Sequence, residues 1–104
     1  PEITKEEKYE VGEYIYDVQT RLLFHPQFEK KLSPKEGQLF RVLCEHLNNV
    51  VPREKALLEI WNEDNYFTTR SMDVYITKLR KYLQEDSNVQ IENVHSSGYA
   101  LYTR

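Results

Sequence analysis

The chain has 104 residues, 17 acidic against 14 basic, for a net charge of −3, which suits one domain able to bury its own core and excludes a chain that coats nucleic acid indiscriminately. Its one cysteine, Cys44, excludes an internal disulfide, and His25, His46 and His95 stand too far apart to read as a metal-ligand set. No apolar run approaches the ~20 residues of a membrane span and the opening "PEITKEEKYE" is charged rather than signal-like, so a cytoplasmic domain in a reducing compartment, with no membrane partner, is expected.

Residues 1–8 read as the remnant of a linker and residues 9–104 as the folded domain. From Tyr9 to Leu32 the text favours strands: Tyr9, Val11, Tyr14, Tyr16 and Val18 are β-formers, with breaks at Gly12, Gln19-Thr20 and His25-Pro26-Gln27. A small antiparallel meander is expected. The pattern changes at "LSPKEGQLFRVLCEHL", where Ser33 and Glu36 form a capping box, Pro34 takes the first helical position and Leu39, Phe40, Leu43, Cys44 and Leu47 fall at helical spacing. A helix is predicted from Pro34 to His46 or Leu47, and Gly37 inside it, about 1 kcal/mol poorer than Ala in propensity, calls for a packing reason.

"NNVVP" breaks the chain, and "PREKALLEIW" restarts a short helix with Leu57, Ile60 and Trp61 on one stripe. "NEDNYFTT" reads as a loop, with Thr68 or Thr69 available to cap a third helix beginning near Arg70. After Leu83 comes a turn, "QEDSN", then "VQIENVH" and "YALYTR", two strands joined through "SSG" into a terminal hairpin.

The third helix, "RSMDVYITKLRKYL", gathers four cations against Asp73 alone in a chain that is acidic overall. At about 100° per residue Met72, Ile76, Leu79 and Leu83 share a narrow arc and form the core stripe. Opposite lie Arg70, Val74, Thr77, Lys78 and Lys81, with Tyr75 and Arg80 on the flanks. A solvated face ordinarily mixes acids among its bases, as the first helix does with Lys35, Glu36, Arg41 and Glu45. This outer arc has none, and its composition suits the DNA major groove: cations for phosphates and guanine, a small apolar side chain for a thymine methyl. Helix pair, basic third helix and hairpin, in that order, make an α+β winged helix-turn-helix: an N-terminal antiparallel sheet, a three-helix core and a C-terminal hairpin wing.

From Leu32 to Leu101 the sequence resembles the DNA-binding effector domain of OmpR/PhoB-type response regulators. "LSPKEGQLFRVL" is similar to the family's first-helix opening, "VVPREKALLEIW" to its second helix, "RSMDVYITKLRKYL" to its recognition helix and "NVHSSGYAL" to its wing; "VGEYIYDVQTR" resembles part of its N-terminal sheet. The resemblance implies base-facing roles for Val74 and Lys78, and Ser71, Thr77 and Arg80 at or near phosphates. Tyr75 stands at a position that often touches DNA, and Arg70 and Lys81 complete the face. Asp73 is expected to anchor a neighbouring arginine, since a carboxylate facing phosphate is repelled.

His95 stands where the family's wing usually presents an arginine, and Ser96 where glycine usually follows; with Ser97 they offer hydroxyls or amides to phosphate. Pro52 replaces a common capping serine, so the second helix is expected to lack that cap. The "NEDNYFTTR" loop matches the family segment that contacts RNA polymerase, which implies Glu63, Asp64 and Asn65 as contacts; a plain connector with Trp61 and Phe67 packed inward is the competing expectation. The resemblance further implies double-stranded DNA with direct-repeat half-sites as partner, a receiver domain upstream answering to a sensor kinase, and a homodimer of the phosphorylated full-length protein.

A winged helix can also act mainly through protein–protein contacts, the alternative reading. An enzyme is not expected, and no cofactor: no glycine-rich phosphate loop, metal spacing or nucleophile–base pair emerges, and Cys44 belongs with the apolar side of the first helix as a small buried thiol.

Overall fold

Alternation of aromatic and polar residues at the start of the chain builds four short strands, β1 (Lys8–Val11), β2 (Tyr14–Asp17), β3 (Leu22–His25) and β4 (Phe28–Lys31), in a computed structural model that describes residues 7–95 and 97–103. They pair in sequence order as the antiparallel meander that the pattern predicts. Lys8, read as linker, already pairs with Asp17; residues 1–6 of that segment lie outside the described residues. One face of the sheet turns Val11, Tyr14, Tyr16 and Leu23 into the core. The β1–β2 turn needs Gly12, at φ +59°, because a Cβ there would collide with the Val89 side chain and the Asp86 carboxylate. Asp86 is buried and satisfied, its two oxygens accepting the backbone N–H groups of Glu13 and Asn88 at 2.9 Å each.

The predicted capping box opens α1 (Pro34–Glu45): Glu36 N–H donates to the Ser33 hydroxyl at 3.3 Å, and Ser33 N–H to Glu36 Oε1 at 2.8 Å. Glu36 Oε2 accepts the Tyr82 hydroxyl at 2.9 Å, so one buried carboxylate caps this helix and ties it to the end of the third. Gly37 has its packing reason: a Cβ there would lie 2.5 Å from the Tyr16 hydroxyl and 3.1 Å from Arg21 Cδ. The helix therefore lies close against the meander. Cys44 is buried, and burial pushes its thiol well above the usual range.

Two elements differ from the expected pattern. "NNVVP", predicted as a break, contains a strand, β5 (Val50–Pro52), which pairs with β7. Three residues are too few to show a period, and the strand forms because a partner passes beside it. Then α2 (Arg53–Trp61) starts with Pro52 as N-cap and no side-chain cap bond, as its sequence predicts, and closes on Asn62 in the left-handed region.

The larger correction concerns α3, which spans Tyr66–Tyr82 rather than starting near Arg70. Asn65 is the N-cap, accepting Thr68 N–H at 2.9 Å, while Thr68 Oγ1 accepts Asn65 N–H at 3.0 Å. Thr68 is thus the third residue of the helix and not its cap. The loop shrinks to residues 62–65, and Phe67, expected to pack inward if the segment were a plain connector, is 76% exposed. The core stripe is as predicted: Met72, Ile76, Leu79 and Leu83 are all buried against α1, α2 and the C-terminal sheet. Burial of four such side chains contributes about 1.5–3 kcal/mol each and fixes which face of α3 remains outside.

The predicted hairpin is β6 (Val89–Val94) with β7 (Gly98–Thr103), and β7 lies centrally in a three-stranded sheet of order β5-β7-β6. At Gly98 a Cβ would overlap the Val51 carbonyl, so glycine is what lets β5 and β7 meet.

Candidate nucleic-acid interface

With its stripe fastened inside, α3 presents Arg70, Val74, Thr77, Lys78 and Lys81 to solvent, and Val74 is 53% exposed. Tyr75 and Ser71 are half-buried. The Tyr75 ring packs 5.9 Å from that of Trp61 on α2, and Lys78 Nζ lies 5.6 Å from the Tyr75 centroid. Tyr75 therefore forms a platform beneath Lys78 and directs its ammonium outward.

The resemblance implies that Asp73, the sole acid within the basic stretch, meets an arginine; among the described residues its side-chain partner is instead Tyr99 of β7, whose hydroxyl donates to Asp73 Oδ1 at 2.5 Å. Burial first, then the bond to this carboxylate, pushes the Tyr99 phenol up to about 12, so it stays protonated and donating at neutral pH. Thr77 donates its hydroxyl to the Asp73 carbonyl at 3.0 Å, which engages its one side-chain donor within the helix. Arg80 Nε donates to the Ile91 carbonyl of β6 at 3.0 Å, tying the end of α3 to the hairpin. Arg80 and Lys81 also complement the negative end of the helix dipole, a structural use of part of the charge.

His95 lies at the hairpin tip, exposed, at φ 48°. The tip is closed by Ser97 N–H donating to Val94 O at 2.8 Å and joined to α2 by Arg53 N–H donating to Ser97 O at 3.3 Å. Ser96 lies outside the described residues. Helix face and wing are therefore held in one frame by Tyr99–Asp73 and Arg80–Ile91. In the connector, Asn65 uses its side chain on the cap and on Glu63, its Nδ2 donating to Glu63 Oε1 at 2.7 Å. Glu63 and Asp64 are exposed.

Residues 27–101 match the family model described as "Transcriptional regulatory protein, C terminal". The chain belongs to this family. Among its relatives, the transcriptional regulatory protein RprY of Bacteroides fragilis is 46% identical over 91% of the chain, and YxdJ of Bacillus subtilis 35% identical over 86%. These alignments cover 40% and 43% of the two relatives, so the chain spans about two fifths of their length. The DNA-binding domain of CpxR from E. coli has the same fold, with a TM-score of 0.81 at 20% identity over 93% of this chain and 97% of that one. Thermotoga maritima DrrB, an OmpR/PhoB homologue, superposes with a TM-score of 0.75 at 27% identity over 91% of this chain and 44% of its own.

The reading of this family member from its sequence missed two residues of the outer face, Tyr66 and Phe67, 66% and 76% exposed at the start of α3. Their signal lies in Asn65 and Thr68, three apart, a weaker form of the box at Ser33 and Glu36. Among the described residues no cluster of three or more potential metal ligands occurs, and no helix is long and apolar enough to cross a membrane.

Proposed function

We propose that this domain binds double-stranded DNA sequence-specifically, with α3 in the major groove and the β6–β7 hairpin on the adjoining backbone, and so controls transcription. The observation that carries this reading is the outer face of α3: cations and small apolar groups, with the one carboxylate of the basic stretch, Asp73, bonded to Tyr99. Family membership and the relatives' naming as transcriptional regulatory proteins support it, as does the solved complex of the Klebsiella pneumoniae RstA DNA-binding domain with the RstA box.

Val74 and Lys78 read bases, with Arg70 beside them; Ser71, Arg80 and Lys81 hold phosphates. Thr77, its hydroxyl proton engaged by the Asp73 carbonyl, stands near those phosphates, and Tyr75 acts through Lys78. His95 and Ser96 make the wing's backbone contact. The acidic remainder of the surface restricts attachment to this face. DNA binding of this kind requires no catalysis by the domain.

For the whole protein, the reading implies a receiver domain addressed by a sensor kinase, dimerisation on phosphorylation, direct-repeat half-sites, and action in the cytoplasm. Glu63 and Asp64, with Asn65 shaping the connector, form the surface offered to RNA polymerase. Selection of bound duplexes from a random pool at fixed salt tests the reading: a recurrent motif supports it. Chemical-shift changes confined to α2 and the connector, with α3 untouched, would sink it.

A further inference from the structure

Two large aromatic side chains stand in water at the start of α3. Tyr66 and Phe67 pack edge-to-face on each other, centroids 5.5 Å apart at 80°, and not on the core. Phe67, Val74 and Lys81 are spaced by seven, so at about 100° per residue they form one nearly straight line along the outer face. Tyr66 flanks the same line one turn before Arg70, whose Nη1 donates to the Tyr66 hydroxyl at 3.3 Å while the guanidinium carbon lies 5.8 Å from the ring centroid.

The first turn of α3 carries no acid, and it is the positive end of the helix dipole. Aromatic surface, cation and dipole thus continue the face already assigned to DNA, and their charge favours phosphate over a basic protein partner. Seven residues advance a helix by about 10 Å, close to the width of the major groove, so with Val74 on the bases Phe67 reaches the groove's edge. The groups there that an uncharged ring can bury are thymine methyls and deoxyribose.

We propose that Tyr66 and Phe67 extend the recognition face of α3 by one turn: Phe67 packs on apolar groups at the edge of the DNA site, and Tyr66 is a positioning residue for Arg70. The proposal rests on the DNA-binding reading above. It assigns a role to two side chains that neither the core nor the cap explains.

The test uses the 104-residue chain and a duplex obtained by selection, with thymines replaced singly by deoxyuridine. Phe67→Ala is expected to weaken binding roughly tenfold, as loss of a contact burying one or two methylene equivalents would. Loss of wild-type affinity at one deoxyuridine, absent in Phe67→Ala, identifies a methyl contact. Weakening by Phe67→Ala with no deoxyuridine effect identifies deoxyribose; both support the proposal. Tyr66→Phe should broaden base preference at one position, an effect that a purely structural role would not produce.

Lys78→Ala distinguishes the two levels of failure. If it weakens binding while Phe67→Ala and Tyr66→Phe bind and discriminate as wild type, the extension is overturned and the DNA reading stands. If all three match wild type on every duplex, the DNA reading fails and the extension with it. Unchanged DNA binding by Phe67→Ala with loss of transcription by purified polymerase would place a protein on this turn and also overturn the proposal. Both side chains are exposed, so thermal melting of the variants should match wild type and separate these outcomes from misfolding.

Discussion

The Tyr99 hydroxyl donates to Asp73 Oδ1 at 2.5 Å, joining β7 to the middle of α3 across 26 residues of sequence. The bond has two effects. It fixes the hairpin against the recognition face, and it occupies the single carboxylate that would otherwise oppose phosphate between Arg70 and Val74. Arg80 Nε on the Ile91 carbonyl makes a second tie between the helix and the hairpin, nearer the end of α3.

Tyr99→Phe is therefore expected to cost about 1–2 kcal/mol of folding stability, the net loss of a hydrogen bond to a charged acceptor. DNA affinity should fall by more than partial unfolding explains, because the Asp73 carboxylate, no longer held by the phenol, becomes free to turn toward the proposed phosphate contacts. Urea unfolding and duplex titration on the same preparation check this. Equal stability with equal affinity would show that the bond constrains nothing.

Tyr99 also predicts the alkaline limit of the fold. Its folded pKa, about 12, lies above the ordinary tyrosine value of about 10, and Tyr9, Tyr16 and Tyr82 are raised to about 12 as well, by burial first. A raised folded pKa means that the native state holds the proton longer than the unfolded chain. The associated stability is fully present below pH ~10 and is lost as pH rises to ~12. Melting temperature should fall through that window, less steeply in Tyr99→Phe.

Gly98→Ala should be among the most damaging single-methyl changes. The added Cβ would overlap the Val51 carbonyl at φ +154°, and backbone, unlike a side-chain tip, has nowhere to move. We expect a loss of about 2–4 kcal/mol, with β5 parting from β7 before the meander is disturbed. Hydrogen exchange at Val51 and Ala100 would report that local opening, and unchanged protection there would refute it.

The core face of α3 was legible because Met72, Ile76, Leu79 and Leu83 repeat at helical spacing, and that period alone fixes which residues stay outside. Its first turn was not. Asn65 and Thr68 cap less recognisably than Ser33 and Glu36, and Tyr66 and Phe67 look in sequence like residues meant for a core. β5 was illegible for another reason: Val50–Pro52 is a strand only because β7 runs beside it, and that depends on Gly98, 46 positions beyond Pro52 in the chain. Asp73 was expected to hold an arginine, but the partner it takes, Tyr99, comes from another element, which no local pattern encodes.

The two lysines of the outer face should separate by what they touch. Lys78 stands on the Tyr75 ring, 5.6 Å from its centroid, and that ring lies 5.9 Å from Trp61, a support consistent with the base-reading role proposed for its ammonium. Lys78→Ala should cost about 1–3 kcal/mol on the cognate duplex and relax preference at one base pair. Lys81, exposed in the last turn and aligned with Val74, is the residue we propose for phosphate. Lys81→Ala should weaken cognate and unrelated duplexes by similar factors and reduce the slope of log affinity against log salt by about 0.9. Measurement across a salt series separates the two: a base-specific loss keeps its size as salt rises, whereas a phosphate contact fades. If Lys78→Ala weakened every duplex equally and Lys81→Ala changed base preference, the assignment of bases and phosphates along α3 would have to be reversed.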